Sequence, residues 1–200
     1  MRILVIGASG TIGRPVVDAL AERHEVVCVG RTHGDYHADI SSPESLVQLF
    51  ANVGEMDALV SAAGSARFKP LEDLTEDDFA FSLANKLMGQ VNLARIGAKY
   101  IRDNGSITLT TGILASEPIS GSAAISLVNS GLEGFARAAA LDLPRGIRIN
   151  VVSPPWISET LQAMGRDGAT GMPAAKVAAA YVASVEGMDT GKIIDARKFA

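Results

Sequence analysis

The sequence contains very little cysteine and histidine, and these shortages argue against disulfide and metal sites. The single cysteine, Cys28, cannot form an internal disulfide, and its position in an apolar run favours a small buried hydrophobe. Two of the three histidines fall in the segment 33–39, with no cysteine or further histidine beside them to complete a metal site. We therefore predict a polar loop there and no metal.

The chain also lacks a cluster of positive charge and any long apolar run. Lys and Arg number 18 against 22 Asp and Glu, a net charge of −4, and the basic residues are scattered. This balance argues against nucleic acid or an anionic membrane as a partner. No stretch approaches the roughly 20 apolar residues of a membrane span, and the first apolar run is too short for a signal peptide. We expect a soluble cytoplasmic protein.

The chain does have enough apolar material, 48% of its 200 residues, for one sizeable core. Short β-branched runs alternate with longer helical patterns, which is typical of βαβ units. The predicted strands are Ile3–Ile6, Glu25–Val29, Ala58–Ser61, Ser106–Thr110, Arg148–Val152 and Lys192–Asp195. The predicted helices are Gly13–Arg23, Pro43–Asn52, Glu76–Asp103, Ser122–Leu143 and Pro173–Val185. We predict one α/β domain over residues 1–200, a Rossmann-type doubly wound parallel β-sheet with helices on both faces.

A glycine-rich turn joins the first predicted strand to the first predicted helix. Glycines there permit a tight turn and let backbone N–H groups approach a pyrophosphate, while the helix N-terminus supplies positive partial charge. Strand, turn and helix follow in the order of a dinucleotide site. The predicted cofactor contacts in this turn are Gly7, Ser9, Gly10, Thr11, Ile12 and Gly13.

The end of the second predicted strand indicates which dinucleotide binds. A site for NAD(H) usually places a carboxylate there, to hold the ribose 2′-hydroxyl. This chain has Arg31 and Thr32 instead, and a guanidinium and a hydroxyl can bind a 2′-phosphate. NADP(H) is therefore favoured over NAD(H), although Arg31 as a solvated loop residue is the alternative. Asp39 and Ile40 are predicted to contact the adenine.

These motifs together resemble the short-chain dehydrogenase/reductase family, and the resemblance covers essentially the whole chain. The turn follows the GxxGxxG spacing of extended and atypical members, and Ser61–Gly64 is similar to the family's Asn-Asn-Ala-Gly. Residues 132–154 resemble its fifth helix and sixth strand, and residues 190–195 its last strand. The resemblance implies cofactor contacts at Ala62, Ala63, Gly64, Pro154 and Trp156. For Trp156, stacking on nicotinamide and plain packing are both open.

The catalytic positions of the family are occupied by other residues. The family carries Tyr-x-x-x-Lys on its fifth helix, where this chain has Ile125 and Asn129. The family's Ser falls at Thr111 or Gly112, depending on one gap. On the fourth helix Lys86 takes the place of the family's Asn, so Lys and Asn are exchanged between the two helices.

This exchange has two interpretations. In one, Lys86, Thr111 and Asn129 form a non-standard catalytic site, and the protein is an NADP(H)-dependent oxidoreductase for a small carbonyl/alcohol pair. In the other, the acid is lost and the protein is an inactive NADP(H)-binding sensor or regulator. The segment Ile157–Met172 is shorter than the family's substrate lid, which implies a small or open substrate pocket.

The composition of the predicted fifth helix bears on assembly. Residues 129–143 are rich in Gly and Ala, which lets another helix approach closely. In the resembled family the fourth and fifth helices pair across a two-fold axis. We expect a homodimer or homotetramer formed through these helices.

Overall fold

A single parallel sheet of seven strands organises the molecule, for which a computed structural model describes residues 1–199. The strands are β1 Arg2–Ile6, β2 Glu25–Gly30, β3 Tyr36–His37, β4 Met56–Ser61, β5 Ile101–Thr110, β6 Arg148–Ser153 and β7 Ile193–Asp195. Their order across the sheet is β3-β2-β1-β4-β5-β6-β7. After β1 the chain adds β2 and β3 on one side of it. The strands from β4 to β7 are then added in order on the other side. This arrangement confirms the predicted doubly wound Rossmann-type sheet.

Helices cover both faces of this sheet. They are α1 Gly13–Ala21, α2 Pro43–Val53, α3 Glu76–Ser82, α4 Gly89–Gly97, α5 Ala123–Asp142, α6 Ser158–Ala163 and α7 Ala174–Glu186. Because side chains alternate along a strand, β1 sends Ile3 and Val5 toward α1 and α7, and Leu4 and Ile6 toward α2, α4 and α5. Both sets are fully buried or nearly so. The continuous apolar runs of the central strands follow from burial on both faces.

The structure differs from the sequence-based elements in two places. The predicted helix Glu76–Asp103 is wrong as one element. It divides into α3, a π-helical turn at Leu83–Met88, α4 and a 3-10 turn at Ala98–Tyr100, and residues 101–103 already belong to β5. Asn104, with a φ of 62°, lies in the irregular stretch of β5 between the residue paired with Met56 and the residue paired with Ala58. The sequence predicted six strands, whereas the sheet has seven. The missed strand is β3, whose two residues are too few to show the alternation of apolar and polar side chains.

Buried hydrogen bonds tie α7 to the centre of the sheet. The Tyr181 hydroxyl lies 2.6 Å from Thr110 Oγ1. The Thr110 hydroxyl in turn donates to the Ser61 carbonyl of the neighbouring strand β4. Thr108 and Ser184 form a second contact at 2.7 Å. A buried hydroxyl needs a partner, so these pairs hold the helix at one position along the strand. They fix the ends of β4 and β5, where the candidate site begins.

Helix length and apolarity bear on membrane insertion. None of the helices within residues 1–199 is both long enough and apolar enough to cross a bilayer.

Two helical glycines provide a matched test of the packing. A Cβ on Gly97, at the end of α4, would lie 2.8 Å from the Phe50 ring, whereas a Cβ on Gly134 in α5 would meet nothing within 4 Å. We expect Gly97→Ala to lower the free energy of unfolding by about 1–3 kcal/mol through overpacking. Gly134→Ala should raise it by roughly 0.5–1 kcal/mol, since alanine favours a helix. Urea unfolding measures both, and effects of the same sign would contradict this packing.

Candidate active site

A cleft of about 600 Å³ opens at the carboxyl edge of the sheet, where the connections after β1 and β4 diverge. Ligands of open α/β sheets bind at this switch point. Ten of the residues predicted to contact a dinucleotide line the cleft: Gly7, Ser9, Gly10, Thr11, Arg31, Asp39, Ile40, Ala62, Ala63 and Gly64. The structure therefore brings the glycine turn and the segment after β4 together in one cleft.

The glycine turn is compact because backbone atoms occupy the space of its missing side chains. Gly7 has a φ of +82°, and a Cβ there would lie 2.8 Å from the Ala62 carbonyl oxygen. A Cβ on Gly13 would lie 1.9 Å from the Gly7 oxygen. The turn thus packs directly on the segment after β4 and starts α1 at Gly13. Side chains at these positions would push the turn out of the cleft.

The far end of the cleft carries the charged residues after β2 and β3. Arg31 is exposed and forms no ion pair with any of residues 1–199. Asp39 accepts hydrogen bonds from the Ser41 backbone N–H at 2.9 Å and from the Ser41 hydroxyl at 2.6 Å. These bonds, with a smaller contribution from Arg31, lower the pKa of Asp39. At this end of the cleft, the Arg31 guanidinium thus has no ion-pair partner among residues 1–199, and the Asp39 carboxylate is fixed by its hydrogen bonds to Ser41.

Three of the predicted cofactor residues lie near the cleft without lining it. Ile12 is partly buried and packs against the core under α1 and α7, and Gly13 lies behind the Gly7 carbonyl. Thr32 is exposed, and its hydroxyl lies 2.9 Å from His33 Nδ1. The pairing with His33 was not visible in the sequence, because a hydroxyl and a neighbouring imidazole have no characteristic spacing.

The cleft also contains residues that sequence reasoning missed. Asn85 and Ser65 line it, with Asn85 Oδ1 accepting the Ser65 backbone N–H at 2.7 Å. Thr160 lines it from α6, a short helix inside the segment Ile157–Met172, for which no helix was predicted. Asn85 directly precedes Lys86 in the sequence, and this adjacency is the one sequence signal that could have indicated it. No sequence signal indicated Thr160.

A second, smaller cavity of about 140 Å³ adjoins the cleft, and Thr160 lines both. The three residues predicted to be catalytic reach this cavity from different elements: Lys86 from the π-helical turn, Thr111 from the end of β5, and Asn129 from α5. The remaining lining is Gly112, Ile113, Leu114, Ile125, Pro154, Pro155, Trp156 and Ile157. The structure thus places all three candidate residues at one site with mostly apolar walls.

The backbone around Lys86 is held by an unusual contact. The Gln90 side-chain amide accepts the Thr110 backbone N–H at 2.8 Å and donates to the Thr110 carbonyl at 2.9 Å. It also lies 3.4 Å from the Lys86 carbonyl. Gln90 is fully buried, so it acts as a side-chain substitute for a further strand beside β5. The π-helical turn that carries Lys86 is thereby joined to the end of β5, which Thr111 follows directly.

Lys86 is 8% exposed and its stem packs on Gly64, where a Cβ would come within 3.2 Å of the lysine Cα and Cγ. Its ammonium has neither a hydrogen bond nor an ion pair with any described residue. Burial lowers the pKa of Lys86 to about 8, and no carboxylate is close enough to offset that effect. The cavity therefore holds an uncompensated cation that can lose its proton near neutral pH.

The Thr111 hydroxyl is hydrogen-bonded to α5. It donates to the Asn129 carbonyl at 3.1 Å and to Glu133 Oε1 at 3.3 Å, both on α5. Burial raises the pKa of Glu133. Gly112, the other position at which the family's serine could fall, offers no hydroxyl to the cavity. The arrangement gives Thr111 a role in anchoring α5 to β5.

Asn129 has unused hydrogen-bonding capacity. Its Nδ2 donates a long bond of 3.4 Å to the Gly112 carbonyl, while its Oδ1 is buried and has no partner among residues 1–199. A buried amide oxygen without a partner is costly, and a ligand N–H or O–H would satisfy it. Asn129 therefore keeps a buried acceptor without a partner among residues 1–199, in a residue that lines the cavity.

The aromatic residues provide no replacement for the family's tyrosine. Trp156 lines the cavity and packs edge-on against Phe68, with ring centroids 5.8 Å apart. None of the three tyrosines lines the cavity within the described chain, and the Tyr181 hydroxyl is hydrogen-bonded to Thr110.

Residues 1–199 contain no group of three His, Cys, Asp or Glu side chains that could hold a metal ion.

Comparisons with known proteins agree with this geometry. A family model described as Enoyl-(Acyl carrier protein) reductase matches residues 4–193. The hydroxynaphthalene reductase of Aspergillus fumigatus is 29% identical over 160 residues, which cover 78% of this chain and 56% of that protein. The chain thus spans little more than half of that relative. The 3-oxoacyl-(acyl-carrier-protein) reductase of Mus musculus is 29% identical over 76% of this chain and 74% of its own.

Solved structures extend the match to the whole fold. The protein lin1944 from Listeria innocua is 43% identical, with a TM-score of 0.94 over 98% of both chains. A small-chain dehydrogenase in complex with NADPH is 26% identical, with a TM-score of 0.86 over 98% of this chain and 95% of that one. The fold, the glycine turn and these matches define an oxidoreductase class, and this chain belongs to the short-chain dehydrogenase/reductase family.

Proposed function

We propose that the protein is an NADP(H)-dependent oxidoreductase that interconverts a small carbonyl compound and its alcohol. The observation that carries this proposal is the position of Lys86, a buried and uncompensated cation in a small cavity that adjoins the dinucleotide cleft. Reductases among the relatives and the NADPH complex among the similar structures support it.

The residues present fit a dinucleotide. The cleft of about 600 Å³ is lined by a turn whose missing side chains leave the backbone accessible, and Arg31 stands free at its far end. In this proposal Gly10 and Thr11 hold the pyrophosphate, Asp39 and Ile40 border the adenine, and Arg31 pairs with the 2′-phosphate. The bound nicotinamide would supply or accept a hydride at the cavity.

Lys86 would take over the work of the missing tyrosine. Its ammonium donates a hydrogen bond to the carbonyl oxygen, stabilises the negative charge that develops there, and passes a proton to that oxygen. The apolar walls exclude water and strengthen this interaction. Asn129 orients a hydroxyl of cofactor or substrate through its free Oδ1, and Thr111 positions α5 rather than touching substrate.

A sensor without turnover has no specific support in these observations. Such a protein would need only the dinucleotide cleft. The sensor hypothesis therefore does not explain why Lys86 is buried in the cavity beside the cleft. Burying a charge without a partner destabilises the fold, so the cation points to chemistry. NADPH binding without reduction of any small carbonyl would restore the sensor hypothesis.

An apolar groove of about 700 Å³ on the outer face of α4 and α5 supports the proposal of a homodimer. Its apolar lining includes Ala94, Ala98, Phe135, Ala139 and Leu143, and four charged residues, Arg95, Lys99, Asp142 and Arg145, also line it. Exposed apolar patches of this kind commonly mark contacts between protein chains. Small residues on both helices would let two copies approach closely across a two-fold axis.

The cofactor preference can be tested at Arg31. We expect Arg31→Ala to weaken NADPH binding about tenfold or more and to leave NADH binding nearly unchanged, because only NADPH carries the 2′-phosphate. Calorimetric titration measures both affinities. Arg23→Ala, which removes a guanidinium paired with Glu186, is the matched control and should change neither. Equal losses of the two cofactors would refute the role of Arg31.

The acid role of Lys86 has a kinetic signature. Lys86→Met should lower the rate of NADPH oxidation with a small carbonyl substrate roughly a hundredfold or more, while Lys176→Met, an exposed control, should have no effect. In the native protein the rate of reduction should fall as pH rises through about 8, because the ammonium is lost there. A rate that is unchanged in Lys86→Met would exclude this role.

The assembly can be tested on the exposed surface of α5. Ala138→Glu adds a charge to the groove without disturbing the core, so it should convert a dimer into monomers. Ala175→Glu, at an exposed position of α7, is the control and should remain dimeric. Analytical ultracentrifugation gives the masses. A native protein that sediments as a monomer at all concentrations would contradict the proposed interface.

A further inference from the structure

Among residues 1–199, the charge in the small cavity has no counter-ion. None of the lining residues is acidic, and burial is the only influence on the pKa of Lys86. The nearest carboxylate from α5, that of Glu133, lies behind Thr111 and contacts its hydroxyl. The other polar lining residues, Thr160 and Asn129, carry no charge. Within the described chain no side chain compensates this charge, and we look for the negative group in a ligand.

The cofactor does not supply this charge. Its phosphates belong at the glycine turn and near Arg31, in the cleft rather than in the small cavity. A nicotinamide ring is neutral when reduced and cationic when oxidised, so it offers no negative partner to an ammonium. The remaining candidate is the substrate itself.

The cavity also restricts the size of that substrate. Its volume of about 140 Å³ lies below the roughly 300–1,000 Å³ of pockets that accept drug-sized ligands. Apolar side chains make most of its wall, among them Ile113, Ile125 and Ile157. A compact molecule of a few carbons with one negative group fits this space and this charge.

We propose that the substrate is a small 2-oxo acid, or the 2-hydroxy acid formed from it, whose carboxylate pairs with Lys86. This inference rests on the proposed oxidoreductase function. An ammonium has three N–H donors, so it can contact a carboxylate oxygen and the adjacent carbonyl oxygen of the same molecule. The buried Oδ1 of Asn129 provides an acceptor for the hydroxyl of the 2-hydroxy acid.

The chemistry balances with the groups named. In reduction the carbonyl carbon accepts a hydride from NADPH, and the electron pair of the C=O π bond moves onto the oxygen. That oxygen takes a proton from the Lys86 ammonium, and solvent returns a proton to the amine. Oxidation of the hydroxy acid is the reverse. The carboxylate keeps its charge throughout, and its ion pair with Lys86 is restored when the amine regains its proton.

Pyruvate and pyruvamide test the proposal, because they differ in charge and hardly in shape. We expect pyruvate to bind about tenfold or more tightly than pyruvamide to the protein saturated with the oxidised cofactor, a complex in which no reduction can occur. Calorimetry measures both affinities. Lys86→Met should abolish the preference, and the exposed Lys176→Met should retain it.

A second measurement covers the case in which Lys86→Met fails to fold. In the native protein the preference for pyruvate should shrink as pH rises through about 8, because the ammonium loses its charge. Pyruvamide bound as tightly as pyruvate, a preference that is independent of pH, or binding of neither compound would overturn the inference. The proposed function fails separately, if NADPH itself does not bind or no small carbonyl is reduced.

Discussion

The contact on which the candidate site depends is the pairing of the Gln90 amide with both backbone groups of Thr110. A side chain here substitutes for a strand, and it satisfies buried groups that would otherwise be left without partners. The pairing joins the fourth helix to the end of β5 at the place where the helix widens into a π-turn. Lys86 lies in that turn, so its position against the cavity follows from this join and from the close packing of its stem on Gly64.

The site combines two different electrostatic environments within one edge of the sheet. The dinucleotide cleft is open, with an exposed Arg31 and a carboxylate, Asp39, held by hydrogen bonds. The adjoining cavity is small and mostly apolar, and its one cation is buried. A charge interacts weakly in the first environment and strongly in the second, because water screens the first. We therefore propose that the cofactor binds in the cleft and that the charge developing on the substrate oxygen is stabilised in the cavity.

Much of the fold could be predicted because the burial pattern leaves a clear trace in sequence. Central strands such as β1 are apolar from their second residue onward, and the glycine turn lies between strand and helix. The errors arose where local pattern and tertiary context disagree. The run from Glu76 to Asp103 has helical periodicity, yet its last residues pair with β4 through Ile101 and Met56. The strand β3 exists only because residues 36 and 37 lie beside β2.

By itself, the sequence determined the class of fold, the place of the glycine turn, the absence of a carboxylate after β2 and the exchange of Lys and Asn between two helices. Only the tertiary structure decided that Lys86 has no counter-ion among residues 1–199, that the Thr111 hydroxyl faces α5, and that Thr160 borders both the cleft and the small cavity. The physical reason is that identity and spacing are local properties of a chain. Burial, hydrogen-bond partners and cavity walls depend on residues distant in sequence that meet only after folding.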